Sequence, residues 1–242
     1  MVEPGIGLTR LWAPPAATRP GPRARLSAAA IVQAGLRVAR DEGLDALTMA
    51  RVAEVTGCSK MALYRHVSDR NDLLAVMADS ALGAPPAPVA SQDWRSQFTQ
   101  LWDRLLAICV EYPWLLDLPD QVSGLTPRNL DWLDAGLAVF SESSLPLADR
   151  LNTVLWITEN IRFEARRRRT VSGRVNDLDS MLMARDGATA SLSARRYPHL
   201  LALIDSGAVG VDAPAESADL TYNLVLIGLT SIFKVTGRGI RG

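Results

Sequence analysis

Leu47-Thr48-Met49-Ala50-Arg51-Val52-Ala53-Glu54-Val55-Thr56-Gly57-Cys58-Ser59-Lys60-Met61-Ala62-Leu63-Tyr64-Arg65-His66-Val67 is the stretch whose reading decides the fold. The Thr48 hydroxyl can accept from the free amides of a following turn, so a short helix is predicted from Thr48 to about Thr56. Gly57 breaks it, and Ser59 caps a further helix to about His66. Two short helices joined by a glycine turn have helix-turn-helix geometry, in which the second enters the DNA major groove and the first crosses the backbone. Ala53 is small where the helices must approach, and Val52, Val55 and Leu63 can form the core beneath them. Lys60, Met61, Tyr64, Arg65 and His66 populate the exposed face or end of the second helix. That mix suits DNA readout: a long cation for guanine or phosphate, an apolar chain for a thymine methyl, and hydroxyl or imidazole donors for phosphates.

Upstream, Ser27 caps a helix whose one face carries Ile31, Ala34, Gly35 and Val38, and Asp41-Glu42-Gly43 ends it. Downstream, Asp69 caps a helix with Leu73, Leu74, Val76 and Met77 on its apolar face. The first 25 residues hold Pro4, Pro14, Pro15, Pro20 and Pro22 and show no hydrophobic period; residues 1–25 therefore read as a flexible basic arm. Ala84-Pro85-Pro86-Ala87-Pro88 marks a boundary between a DNA-binding domain at 26–82 and a larger domain at 83–242. Helices are expected there over 93–111, 127–143, 146–169, 177–186, about 198–206 and 215–235, with a short segment between Pro113 and Pro119. No alternating strand pattern is found, so the fold class is all-α: a three-helix helix-turn-helix domain joined to a larger helical ligand-binding and dimerisation domain.

The quoted run resembles the DNA-binding signature of the tetracycline-repressor (TetR) family: a Leu-Thr start, a helix with a buried Ala, glycine and a small hydrophobe at the turn, and Leu-Tyr-x-His-Val. Asp69-Arg70-Asn71-Asp72-Leu73-Leu74 is similar to the family's next helix. The strong likeness covers residues 27–80. Asp93-Trp94-Arg95, Tyr112-Pro113-Trp114-Leu115 and Leu130-Asp131-Trp132-Leu133-Asp134-Ala135-Gly136-Leu137 resemble the ligand-binding domain of the tetracycline-repressor-like subgroup. The resemblance implies phosphate contacts from Thr48, Tyr64, His66 and Arg70 and base contacts from Ser59, Lys60 and Met61. Ala50 stands where some relatives carry a guanine-reading Arg, and Arg70 where many carry Lys. It further implies a repressor bound to a palindromic double-stranded DNA operator and released by a small-molecule effector.

Composition bounds these expectations. The 242 residues carry 26 basic and 26 acidic side chains, and 48% hydrophobic content excludes global disorder. The zero sum hides an asymmetry: residues 1–70 hold ten basic and six acidic groups, a net +4, and the remainder sixteen and twenty, a net −4. Charge segregated in this way points to nucleic-acid contact by the first part only. Cys58 and Cys109 are too few for a disulfide framework, and the start lacks a secretory pattern, so a cytoplasmic protein without membrane spans is expected.

No nucleophile-base pair, phosphate loop or metal motif is visible, so neither an enzyme nor a cofactor or metal site is expected. The competing reading is a small all-α enzyme or lipid-binding protein whose three-helix start is structural. A cavity walled by aromatics between long helices is the expected form of an effector site, with Trp102, Trp132, Trp156 and Phe163 as candidates. Arg166-Arg167-Arg168-Arg169 reads as a solvated helix end, with Glu164 and Arg168 as a surface pair. A homodimer is expected because one short recognition helix reads few base pairs, and helices 146–169 and 215–235 are candidates for the interface.

Overall fold

Side-chain caps set most of the helix starts in a computed structural model, which describes residues 6–13, 26–87, 93–119, 126–171, 197–199, 202 and 220–236. Every described regular element is helical, as the sequence pattern predicts. A six-residue helix, α1 (Ile6–Leu11), comes first. Ser27 then caps α2 (Ala28–Asp41), Thr48 caps α3 (Met49–Thr56), Ser59 caps α4 (Lys60–Leu63) and Asp69 caps α5 (Arg70–Leu82). In each case the side-chain oxygen accepts the backbone N–H three residues on, which satisfies one of the amides a helix start leaves open. Gly57 ends α3 at φ 66°, in the left-handed region that a side chain disfavours, and that turn swings α4 across α3.

After the proline-rich linker, Asp93 caps α6 (Trp94–Glu111). A 3₁₀ segment (Pro113–Asp117) leads on, and Thr126 caps α7 (Pro127–Val139). The long α8 (Leu147–Val171) and a final α9 (Leu220–Thr236) complete the described elements. The helix expected near 177–186 lies outside the described residues, as does most of that expected near 198–206.

The chain divides into two compact units, Met1–Leu155 and Trp156–Gly242. In the first, α5 is buried on every side, from Asp72 to Asp79 and again at Ala81. One side of it packs on α1 and α2 and another on α6 and α7. A single apolar core consequently runs from Ile31, Leu47, Leu63 and Leu73 through to Ile108, Trp114, Leu115 and Trp132. Two hydrogen bonds fasten the junction: Asp79 accepts the Arg128 amide at 2.8 Å, and the Trp132 indole N–H donates to the Gly83 carbonyl at 3.1 Å. Packing therefore continues from α5 to α6 and α7 past the linker.

Two expectations change. Residues 6–11 of the predicted arm are helical, because their open amides are satisfied by groups distant in sequence. Ile6 N–H donates to Ser68 Oγ, and Gly7 and Leu8 N–H donate to the two carboxylate oxygens of Asp72, all at 2.8 Å. Glu164, read as a surface residue, is 1% exposed. Its oxygens accept from Arg167 Nε and Nη2 and from Arg168 Nε at 2.7–2.9 Å. Part of the arginine run thus neutralises a buried carboxylate.

Candidate nucleic-acid interface

The reading segment is held by two anchors one helical turn apart. Leu63 is fully buried and Val67 nearly so, which forces Tyr64 and Arg65 outward and leaves His66 half-buried at the rim. Lys60 and Met61 are exposed at the first turn of α4. Met61 is 74% exposed, a large apolar side chain with no fold-stabilising burial. The α4 helix proper ends at Leu63, sooner than the sequence suggests, and the chain continues to His66 as turns. Those turns are closed by His66 N–H to the Leu63 carbonyl at 2.8 Å and Val67 N–H to the same carbonyl at 3.1 Å.

Thr48 and Ser59 use an oxygen lone pair for capping, at 3.1 Å to Arg51 N–H and 3.3 Å to Ala62 N–H. Each hydroxyl keeps its proton available to an external acceptor. Arg51 is a cation in this region that is already neutralised. It meets Glu42 through both Nε and Nη2, and its Nη1 lies 2.7 Å from Glu54. Both carboxylates raise its pKa further. Among the described residues, Lys60 and Arg65 have no ion-pair partner. Lys60 and Arg65 thereby stand on the reading segment as exposed positive charges.

Arg70 is placed differently from the other predicted phosphate-contacting residues. Its Nε donates to the Leu47 carbonyl and its Nη2 to the Leu44 carbonyl, both at 2.8 Å. It therefore ties the start of α5 to the loop between α2 and α3, immediately before the Thr48 cap. His66 has a partner that the sequence does not announce: Arg10 Nη1 lies 3.1 Å from its Nδ1. Burial, together with the charges of Arg10 and Arg65, holds the His66 pKa below its ordinary value.

The predicted pocket residues differ in exposure. Trp102 is 2% exposed and Trp132 is nearly as buried, each within packed structure, whereas Trp156 and Phe163 lie more than half exposed on α8. A cavity of about 340 Å³ opens instead beside the linker, with Pro85 and Pro86, Gln97 and Gln100 of α6, and Asp131 and Asp134 of α7 among its walls. Small residues such as Ala84, Ala135 and Ala138 leave that space open. Aromatic content gave no signal for it.

An exposed reading segment pinned by core anchors, behind a left-handed glycine turn, defines a helix-turn-helix DNA-binding domain. Residues 31–77 match the family model described as bacterial regulatory proteins, tetR family. The chain is 29% identical over 139 residues to the HTH-type transcriptional repressor DrrR1 of Streptomyces coeruleorubidus, a stretch covering 57% of this chain and 52% of the relative. The chain thus spans about half the length of that curated relative. In fold it is similar to the Streptomyces coelicolor TetR family protein ActR in complex with (S)-DNPA. That likeness has a TM-score of 0.68 at 24% identity, over 86% of this chain and 98% of the other. It is also similar to BioQ with its double-stranded DNA operator (TM-score 0.52, 21% identity, 60% and 89% coverage).

Proposed function

We propose that this protein is a transcriptional repressor that binds a palindromic operator as a homodimer in the cytoplasm and leaves it when a small molecule binds. The observation that carries the reading is the exposed face of the segment Lys60–His66, held outward by Leu63 and Val67, with Lys60 and Arg65 displayed on it. In this reading Ser59, Lys60 and Met61 meet base edges, and Thr48, Tyr64, Arg65 and His66 meet phosphates. Arg70 serves the site through the loop it holds. A repressor in Streptomyces coeruleorubidus among the relatives, and ligand-bound and DNA-bound proteins among those of like fold, support the same assignment.

The dimer reading rests on apolar side chains that the chain leaves exposed. Leu147, Leu151 and Leu155 follow one another at four-residue spacing on α8, with Trp156 and Phe163 beyond them, and Leu220, Leu224 and Ile227 form a second stripe on α9. These are the two helices that the sequence singles out for an interface. A palindromic operator in turn calls for paired recognition elements one DNA turn apart, about 34–36 Å.

The effector reading rests on the cavity beside the linker. Its volume falls within the range of about 300–1,000 Å³ typical of small-molecule sites. The linker residues in its wall follow α5 directly, so a molecule seated there bears on the helix that also supports the reading segment. A ligand shifts the equilibrium only by its difference in affinity between the DNA-competent and released states.

Selection of genomic fragments on the purified protein, followed by a mobility-shift assay on the DNA flanking its own gene, tests the proposal. A discrete complex with a palindromic site is expected. Failure to retain any duplex at low salt refutes the reading.

A further inference from the structure

The first helix is docked in a fixed register. Asp72 is buried, and its carboxylate accepts three backbone amides: Gly7 and Leu8 of α1 at 2.8 Å and Ser68 at 2.7 Å. Gly7 sits so close to the domain that a Cβ there would come within 2.7 Å of Val76 Cγ2 and 3.1 Å of Val67 Cγ1. Leu11 packs against the main core. A six-residue helix has too little internal hydrogen bonding to persist alone, so these contacts hold it. Arg10, three residues beyond Gly7, is therefore delivered to a set place, at the end of the reading segment beside His66.

A guanidinium has no acceptor, so Arg10 Nη1 is the donor and the His66 Nδ1 lone pair the acceptor at 3.1 Å. The imidazole then carries its proton on Nε2, as a neutral ring with one N–H left to give. Among the described residues neither Arg10 nor Arg65 is ion-paired, although Arg40 and Arg51 are. An uncompensated guanidinium, a second cation and an imidazole N–H at one edge of a DNA-reading element lack an anion. The depressed His66 pKa is consistent with that surplus of positive charge.

We infer that α1 belongs to the DNA interface and that Arg10 binds the DNA backbone, sharing with His66 one phosphodiester at the edge of the major groove. The inference rests on the DNA-binding reading and adds to it a residue outside the stretch that matches the family. Arg10 contributes charge, and its hydrogen bond fixes the tautomer in which His66 donates. Asp72 is the positioning residue that seats the helix carrying Arg10.

The test compares full-length wild type, Arg10→Ala, Arg10→Lys and, as a comparator, Arg40→Ala. Arg40 is exposed and already paired with Asp41 at 2.8 Å. Affinity for the selected duplex is followed by fluorescence anisotropy across a salt series, with thermal melting recorded for every variant. Arg10→Ala is expected to bind about 3–10-fold more weakly and to lose about 0.9 from the slope of log Kd against log salt for each bound chain. Its melting temperature should stay at the wild-type value, Arg10→Lys should keep most of the slope, and Arg40→Ala should behave as wild type. An unchanged slope for Arg10→Ala overturns the inference, whether or not its melting temperature falls. Failure of the wild type to bind any duplex overturns the DNA-binding reading itself, and with it this addition, so the two failures are distinguishable.

Discussion

Replacing Arg70 by alanine separates two roles that a basic residue beside a DNA-reading helix can have. In the structure Arg70 gives one hydrogen bond to each of the Leu44 and Leu47 carbonyls at 2.8 Å, closing the loop between α2 and α3. A hydrogen bond to a charged donor contributes about 1.5–3 kcal/mol. Arg70 and Leu44 are only half-buried, and water can replace part of what is lost at the Leu44 carbonyl. The lower end applies to both bonds, which makes the expected loss about 2–4 kcal/mol. For a chain of this size that lowers the melting temperature by about 5–15 °C. Arg70→Lys should recover less than half of the loss, because an ammonium lacks the planar fork that reaches two carbonyls together. Differential scanning fluorimetry measures the stability, and anisotropy over a salt series, well below the melting range, measures DNA binding. On the loop-closing account the salt slope stays at the wild-type value. A variant that melts like wild type but loses about 0.9 of salt slope per chain would refute it, showing that Arg70 acts on phosphate alone.

Gly136→Ala places a methyl 2.7 Å from Val154 Cγ1 where α7 meets α8. Valine is stiff at χ1, so overpacking should cost about 1–3 kcal/mol, seen as a lower denaturation midpoint with unchanged m-value. Burial alone would raise the Glu164 pKa, but hydrogen bonds from Arg167 and Arg168 outweigh it and hold it below the ordinary value of 4.5. That stability is fully present above about pH 4.5 and is lost as pH falls through the depressed folded-state value. Glu164→Gln should therefore flatten the pH dependence of melting below pH 4.5 and cost about 1–3 kcal/mol at neutral pH. Met61→Ala should leave melting unchanged, since the side chain is 74% exposed, and relax preference at one or two base positions in a panel of operator variants.

What could be read in advance from the sequence was local chemistry. Ser27, Thr48, Ser59 and Asp69 cap helices within three residues of themselves, and the αL turn at Gly57 needs only its own φ. Leu63 and Val67 likewise announce which side chains between them face outward. What could not be read depends on partners far along the chain. Ile6–Leu11 shows no periodicity that marks a helix, because its caps are Ser68 and Asp72, more than sixty residues away. Arg70 looks like any exposed cation until the carbonyls of Leu44 and Leu47 are placed beside it. The cavity was missed for a related reason: tryptophan signals apolar bulk, and bulk fills space as readily as it lines it. The residues that leave room by the linker are alanines and prolines, which any surface segment can carry.

The central helix α5 bears on how this protein could be taken apart and rebuilt. A graft of the reading head onto a different sensor would naturally be cut at the prolines, after residue 82. That cut would strip from α5 the side on which Ile108, Leu115 and Trp132 rest, and leave Asp79 without the Arg128 amide. A chimera joined there would carry an apolar wound on both of its parents. The transferable unit is larger than the part that touches DNA: it extends through α7, so in this fold a new sensor has to be built around an old wall.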